Sequence, residues 1–325
     1  MRQKLLAVAL AFLAAPSVLG WNATGHEAVA AIAWDNMTAH AQDRAIATLM
    51  QAPKNACLLD LFPNDHRPLK ARQREFFIRV ATWADLVRPT KDKITGAPDT
   101  RPCTQYHHAE WHFFDHFWSG TSGASGMTAP MTRTDIPPAT TNAVERLEHF
   151  KPLVACKTAP CVDAPDQQAL DLAWIIHLVG DIHQPLHNAA RVTTVAGEEQ
   201  GDRGGNLFAL DKDHGPPVLH SFWDGIVSDV IPRPKGEKEI PYIDHVIARI
   251  EHDHPRSSVT TLKPGDFNAW SEEGVATAER IAYPASLQRG KVPGGSYRQT
   301  VFKAADEAVA TAGYRLADLL SSILD

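Results

Sequence analysis

Histidine and aspartate recur one helical turn apart in this chain. His177 and Asp181 stand four residues apart in Ile-Ile-His-Leu-Val-Gly-Asp-Ile-His-Gln-Pro-Leu-His, and His220 and Asp224 repeat the spacing in Leu-His-Ser-Phe-Trp-Asp. On a helix that spacing puts an imidazole and a carboxylate on one face, with Cβ atoms about 5–6 Å apart, the reach of a shared cation. One such pair is more often a solvated surface pair. Two of them, close in sequence and both set in apolar surroundings, point toward metal binding. Pro185 removes a backbone donor and clashes with the preceding turn, so the first helix should end or kink there and aim His187 back toward His177 and Asp181. Three further pieces carry the same residue types: Trp21-Asn-Ala-Thr-Gly-His26, Trp83-Ala-Asp85 and Trp111-His112-Phe113-Phe114-Asp115.

The elements that must position these groups read as helices. Gly25 to Met50 carries Val29, Ile32, Ala33, Ala45 and Leu49 at helical spacing, and Lys70 to Leu86, Ala143 to Val154 and Gln167 to Gln184 follow the same pattern. So do Ile240 to Glu251, Ala269 to Ile281 and Gln299 to Leu324. Pro- and Gly-rich connections separate them at Ala52 to Pro68, Pro89 to Pro102, Ser119 to Pro138 and Val192 to Pro217. A small hairpin is expected near Leu207 to Leu210 and Val218 to His220. No internal repeat and no β-α alternation is present. The fold class is all-α, in one domain over 21–325, because the candidate ligands come from both ends and the middle of that span.

The first twenty residues stand apart. Arg2 and Lys4, the apolar run Leu5 to Ala15 and the small or tolerated residues Val18-Leu19-Gly20 describe a secretory signal peptide cleaved before Trp21. The run is too short for the ~20 residues that span a bilayer, and no later segment is apolar enough, so a secreted or periplasmic protein without a membrane anchor is expected. The whole chain has 325 residues and a net charge of -6. Removing the leader takes Lys+Arg from 32 to 30 against 38 Asp+Glu, which makes the mature charge -8. That balance argues against a sequence-reading DNA-binding module, but not against a site where several divalent cations add local positive charge. Four cysteines in a secreted context favour two disulfides. Cys156 and Cys161 close a short loop, which leaves Cys57 for Cys103; the other two pairings stay open, and no Cys-x-x-Cys spacing supports a thiolate zinc site.

With these motifs, the chain from Trp21 through the Ala269 to Ala282 helix resembles the trinuclear zinc nucleases of fungi, plants and bacteria, the S-one/P-one type. The segment Gly-Asp-Arg-Gly-Gly-Asn at Gly201 to Asn206 belongs to the same resemblance. It implies the mainly helical fold shared by phospholipase C and these nucleases, with a cleft for three Zn2+ ions. One ion would be held by Asp85, His112, His177 and Asp181. A second would be held by His187, His220 and Asp224. The third would be held by the Trp21 amine and carbonyl, His26 and a bridging Asp181. Nitrogen and oxygen donors without thiolate suit zinc at several open sites, and clustered divalent ions suit phosphate-ester hydrolysis.

Asp85 and Asp181 are accordingly the candidate catalytic carboxylates. Arg88, three residues after Asp85, is the candidate clamp on the phosphate, in both catalytic and substrate-binding roles. Phe113 follows His112 directly, and the resemblance implies that it stacks on the base beside the cleaved phosphate. Asp202, Arg203 and Asn206 are assigned a structural role around the second zinc, and the other eleven histidines receive no catalytic role. The implied activity is endonucleolytic cleavage of single-stranded DNA and RNA to 5′-phosphate ends, with 3′-nucleotidase activity on 3′-mononucleotides, in a monomer. Gly225 stands where plant relatives often carry a base-reading asparagine, so base preference does not transfer. The rival readings are a zinc phospholipase C, which typically carries glutamate in place of Asp224 and lacks the glycine-rich segment, and a non-enzymatic secreted zinc-binding protein.

Overall fold

The computed structural model describes residues 20–91, 95–119, 141–156, 160–259 and 262–325. The expected leader, apart from Gly20, and most of the Ser119 to Pro138 connection lie outside the described residues. The described α-helices are α1 (Ala23–Asn36), α2 (Ala39–Leu49), α3 (Leu69–Val80), α4 (Trp83–Leu86), α5 (Ala143–Val154) and α6 (Pro165–Asp181). They continue with α7 (Leu219–Val230), α8 (Glu239–Asp253), α9 (Phe267–Thr277) and α10 (Gly295–Leu324). The all-α expectation is met. None of the described helices is long and apolar enough to cross a membrane.

Helix α1 is buried at every residue from Gly25 to Trp34, so apart from His26 and Glu27 that span is apolar all round rather than on one stripe. It packs against α3, α7, α8 and α10. The approach to α10 is close: a Cβ on Gly313 would come within 2.5 Å of Ile32 Cγ2. Helix α6 starts with Pro165 in its first turn, where no donor is lost, and is buried from Ala169 to Asp181. It stops four residues before Pro185, as that proline's steric demand requires, and a 3₁₀ turn, Pro185–His187, follows.

Two expected helices are each divided. The span Gly25 to Met50 breaks after Asn36, whose amide turns back to the Ile32 carbonyl at 2.8 Å. Met37 is extended, and the Thr38 hydroxyl caps α2 by accepting the Ala41 N–H at 3.0 Å. The span Lys70 to Leu86 breaks at Ala81 and Thr82, where Thr82 Oγ1 donates to the Arg79 carbonyl. That break re-aims α4 and leaves the Ala81 carbonyl to accept from His177.

Strand β1 (His116–Ser119) pairs in parallel with β2 (Ala189–Val192), His116 facing Ala189 and Ser119 facing Val192. The periodicity did not reveal this sheet. The expected hairpin reduces to one antiparallel bridge, Ala209 with Val218, flanked by Leu210 N–H to the Pro217 carbonyl at 2.8 Å. The disulfides are Cys57–Cys103 and Cys156–Cys161, as expected from sequence. The first ties the loop after α2 to the 3₁₀ turn Pro102–Tyr106, just ahead of His112.

Candidate metal centre

Six elements converge on one buried place. Helix α1 brings His26 on its first turn, α4 brings Asp85, the 3₁₀ turn Ala109–His112 brings His112, the end of α6 brings His177 and Asp181, and Pro185–His187 brings His187. Helix α7 completes the set with His220 and Asp224 one turn apart. All are buried except Asp85, which is half-buried. Three groups have ligand atoms within 4.8 Å of one another: His26, His177 and Asp181; Asp85, His112 and His177; and His187, His220 and Asp224.

Asp181 stands at the centre. Its Oδ2 lies 3.0 Å from His112 Nδ1 and 3.0 Å from His177 Nε2. Its Oδ1 lies 3.4 Å from His26 Nε2 and 3.7 Å from His187 Nδ1. The His26 ring stacks on His177 with centroids 4.1 Å apart.

Backbone carbonyls orient three of the imidazoles. His177 Nδ1 donates to Ala81 O at 2.7 Å, His187 Nδ1 to His112 O at 2.5 Å, and His220 Nδ1 to Gly204 O at 2.7 Å. A carbonyl can only accept, so each Nδ1 carries a proton and each ring presents its Nε2 toward the centre. His187 Nε2 and His220 Nε2 face each other at 3.1 Å. Two ring nitrogens at that distance must share a proton or a metal ion, and two nitrogens on a tetrahedral zinc stand roughly 3.3 Å apart. Asp85 Oδ1, His112 Nε2 and His26 Nδ1 are buried without a hydrogen bond, a condition that costs about 1–3 kcal/mol per group unless another partner is supplied. The donor set fits zinc.

The charges agree with a cation-binding place. Burial alone would raise the Asp181 carboxyl and lower the His177 imidazole. The charges of His177 and His187 and the hydrogen bonds from His112 and His177 outweigh burial and hold Asp181 well below the usual carboxylate range. The Asp181 and Asp85 carboxylates and the Ala81 carbonyl lift His177 to about 9. Burial pushes Asp224 well up, opposed by a hydrogen bond from Gln184. Arg88, half-buried, is lowered by burial while Asp85 and Asp181 pull it up, which places its guanidinium in the field of both carboxylates.

The chain enters this centre at its first described residues. A Cβ on Gly20 would fall 1.7 Å from Asp181 Oδ1 and 2.8 Å from His26 Nε2, so the Gly20 backbone lies against two of the ligands. The Trp21 ring is fully buried and packs on Gly25, whose own Cβ would meet Trp21 Cβ at 2.6 Å. Asn22 caps α1 by accepting the Gly25 N–H, and its backbone N–H reaches the Asp224 carbonyl at 3.0 Å. Phe113 is half-buried and extended directly after His112, with its carbonyl accepting the Ala143 N–H at 3.1 Å.

The glycine-rich segment acts from behind His220. Gly204, at φ +59°, would place a Cβ 2.1 Å from the Leu186 carbonyl oxygen, so only glycine lets the loop present its carbonyl to His220. Asp202 anchors the loop by accepting the Arg191 N–H at 2.8 Å and the Tyr283 hydroxyl. Asn206 donates to the Arg203 carbonyl at 2.8 Å. His183 lies outside the centre, bonded to Val179 O and to Arg315, and burial lowers it to about 3.

Sequence reasoning missed Gln184 and Asn188. Both are fully buried, and both sit in the segment that carries His187. Their signal was available: two amides inside a stretch otherwise destined for the core must find partners.

A family model described as S1/P1 Nuclease matches residues 21–325. Endonuclease 5 and Endonuclease 4 of Arabidopsis thaliana are each 25% identical to this chain over 158 residues, covering 47% of it and 50% of each relative. The chain thus matches about half the length of these curated relatives. The converging His/Asp groups and a family match that begins at Trp21 and runs to the last residue place the chain in the S1/P1 nuclease family.

Proposed function

We propose that the protein is a zinc-dependent endonuclease that cleaves single-stranded DNA and RNA to 5′-phosphate ends and also removes the phosphate of 3′-mononucleotides. The observation that supports it most is the set of three ligand groups gathered around Asp181. This reading takes three zinc ions per chain, with the Trp21 amine and carbonyl completing the third group once the leader is removed. Zinc, when bound, supplies Lewis-acid polarisation of the phosphate oxygens and lowers the pKa of the attacking water.

The chain's own residues then act as follows. Asp181 would help to hold neighbouring cations and would offset their charge. Asp85, at the half-buried side, receives the proton from water as its oxygen forms the new bond to phosphorus. The bond from phosphorus to the 3′ oxygen breaks, and that oxygen leaves as a hydroxyl, taking its proton from solvent water. Arg88 faces the same side and counters the charge that develops on the non-bridging oxygens. Phe113 offers a ring next to His112 on which an unstacked base can lie, which favours single strands without reading base identity. The protein acts as a secreted or periplasmic monomer.

The test uses protein beginning at Trp21, loaded with zinc, on single-stranded DNA, RNA, a 3′-mononucleotide and phosphatidylcholine. Cleavage of the first three with 5′-phosphate products is expected. Turnover of phosphatidylcholine alone would replace this reading with a phospholipase.

A further inference from the structure

Gln184 belongs to no ligand group, yet it touches three of the segments that carry ligands. Its backbone N–H donates to the Asp181 carbonyl at 2.9 Å, and its carbonyl accepts the His187 N–H at 2.9 Å. Its side chain is fully buried and both ends are engaged. Oε1 accepts the Leu186 N–H at 2.6 Å, and Nε2 donates to Asp224 Oδ1 at 2.6 Å. The orientation of the amide is not free. The Leu186 N–H can only donate, so the oxygen must face it and the NH2 must face Asp224.

We propose that Gln184 is the positioning residue of the His187–His220–Asp224 group, its amide fixing which oxygen of Asp224 turns toward the cation. This rests on the reading of that group as a zinc site. With Oδ1 engaged by the amide, Oδ2 is the oxygen turned toward His220, 3.6 Å from its Nε2. A carboxylate rotating freely could present either oxygen, or both, and would lose part of its affinity to that disorder. A donor at Oδ1 selects one arrangement and stabilises the ionised form that binds metal.

Asn188 braces the device from below, its amide donating to the carbonyls of Ile182 and Gln184 at 2.9 and 3.0 Å. Helix α9 closes over it: a Cβ on Gly274 would come within 2.4 Å of the Asn188 amide. Glutamine suits the position because the two requirements are opposite in sign. One end must accept from a backbone N–H and the other must donate to a carboxylate. Glutamate satisfies only the first, and an apolar side chain satisfies neither.

That asymmetry separates positioning from mere capping of the turn. Gln184→Glu keeps the acceptor for Leu186 and the side-chain volume, but removes the donor to Asp224. Gln184→Met removes both. The experiment takes the full mature chain, its two variants and His220→Ala, and measures zinc retained against a competing chelator. The visible spectrum of the cobalt-substituted proteins is recorded in parallel.

The zinc that wild type holds and His220→Ala loses defines the site. If His220→Ala loses none, the zinc reading of the group fails before Gln184 is judged. Given that zinc, Gln184→Glu is expected to hold it about 10–100-fold more weakly, with the remaining zinc unchanged and the cobalt bands of that site shifted. Equal retention by Gln184→Glu and wild type, with an unchanged cobalt spectrum, overturns the proposal. A Gln184→Met protein that fails to fold leaves the decision with Gln184→Glu, which retains the cap.

Discussion

At the scale of single residues, Asp181 carries the heaviest demand, because four imidazoles lie within 3.7 Å of its two oxygens. On the proposed reading Asp181→Asn exchanges a bridging carboxylate for a neutral amide with one acceptor. Its loss of kcat should exceed the ~10–100-fold cost of disturbing an outer partner of a ligand. A near-normal rate in a steady-state assay on single-stranded DNA would remove Asp181 from the bridge. Phe113→Ala should weaken binding of single strands by roughly 1–3 kcal/mol, the worth of one stacked base, while zinc content stays the same. An unchanged KM on single strands, with full zinc, would return Phe113 to a packing role. The pairs His177 with Asp181 and His220 with Asp224 were readable in the sequence as local signals of helical spacing, and His187 through Pro185, while the rest of the candidate ligand set came only from the resemblance to the nuclease family. For Gln184 only the need for a partner was legible; the partner itself lies on α7, and nothing in sequence brings the two together.

At the scale of elements, the same division between local and distant holds. Helices α5 and α6 could be placed from apolar spacing and from Pro185, because those signals act within a turn or two of the chain. Strands β1 and β2 could not. Each is four residues long, and the pairing exists only because the chain around His112 and His187 is already joined: Phe114 N–H meets the His187 carbonyl, and His116 N–H meets the Asn188 carbonyl, both at 2.8 Å. The divided helices show a subtler gap, since apolar spacing runs straight through Asn36 and Thr82 while their polar side chains redirect the backbone.

Helix α6 also carries a pH-sensitive residue outside the metal centre. Asp171 is pushed up to about 7 by burial, which outweighs the hydrogen bond from Gln167, with the Asp163 carboxylate adding to the rise. An unfolded aspartate titrates near ~3.9, so between about pH 4 and 7 the native chain binds more protons than the unfolded one, and stability falls as pH rises. Asp171→Asn should therefore melt above wild type at pH 8, with the difference shrinking toward pH 4. Thermal melts that differ equally at both pH values would exclude this titration as the cause.

At the scale of the whole molecule, the chain entrance and the far helices meet at one point, with the Gly20 backbone against Asp181 and His26 and the Asn22 N–H on Asp224. On the proposed reading only a free α-amine at Trp21 can complete the third ligand group. Protein starting at Trp21 should hold one more zinc, and turn over faster, than protein with an untrimmed residue ahead of it. Equal zinc by elemental analysis and equal turnover would take the N-terminus out of the site. The packing of α1 on α10 has a consequence in time. His26 rides on an element whose resting place includes Gly313, and at about 5–20 residues per second α10 is made roughly 15–55 s after α1. Throughout that interval the first ligand helix has no finished bed to settle into. On the proposed reading the centre is completed only after α10 has been made, so a chain still in synthesis carries no finished site.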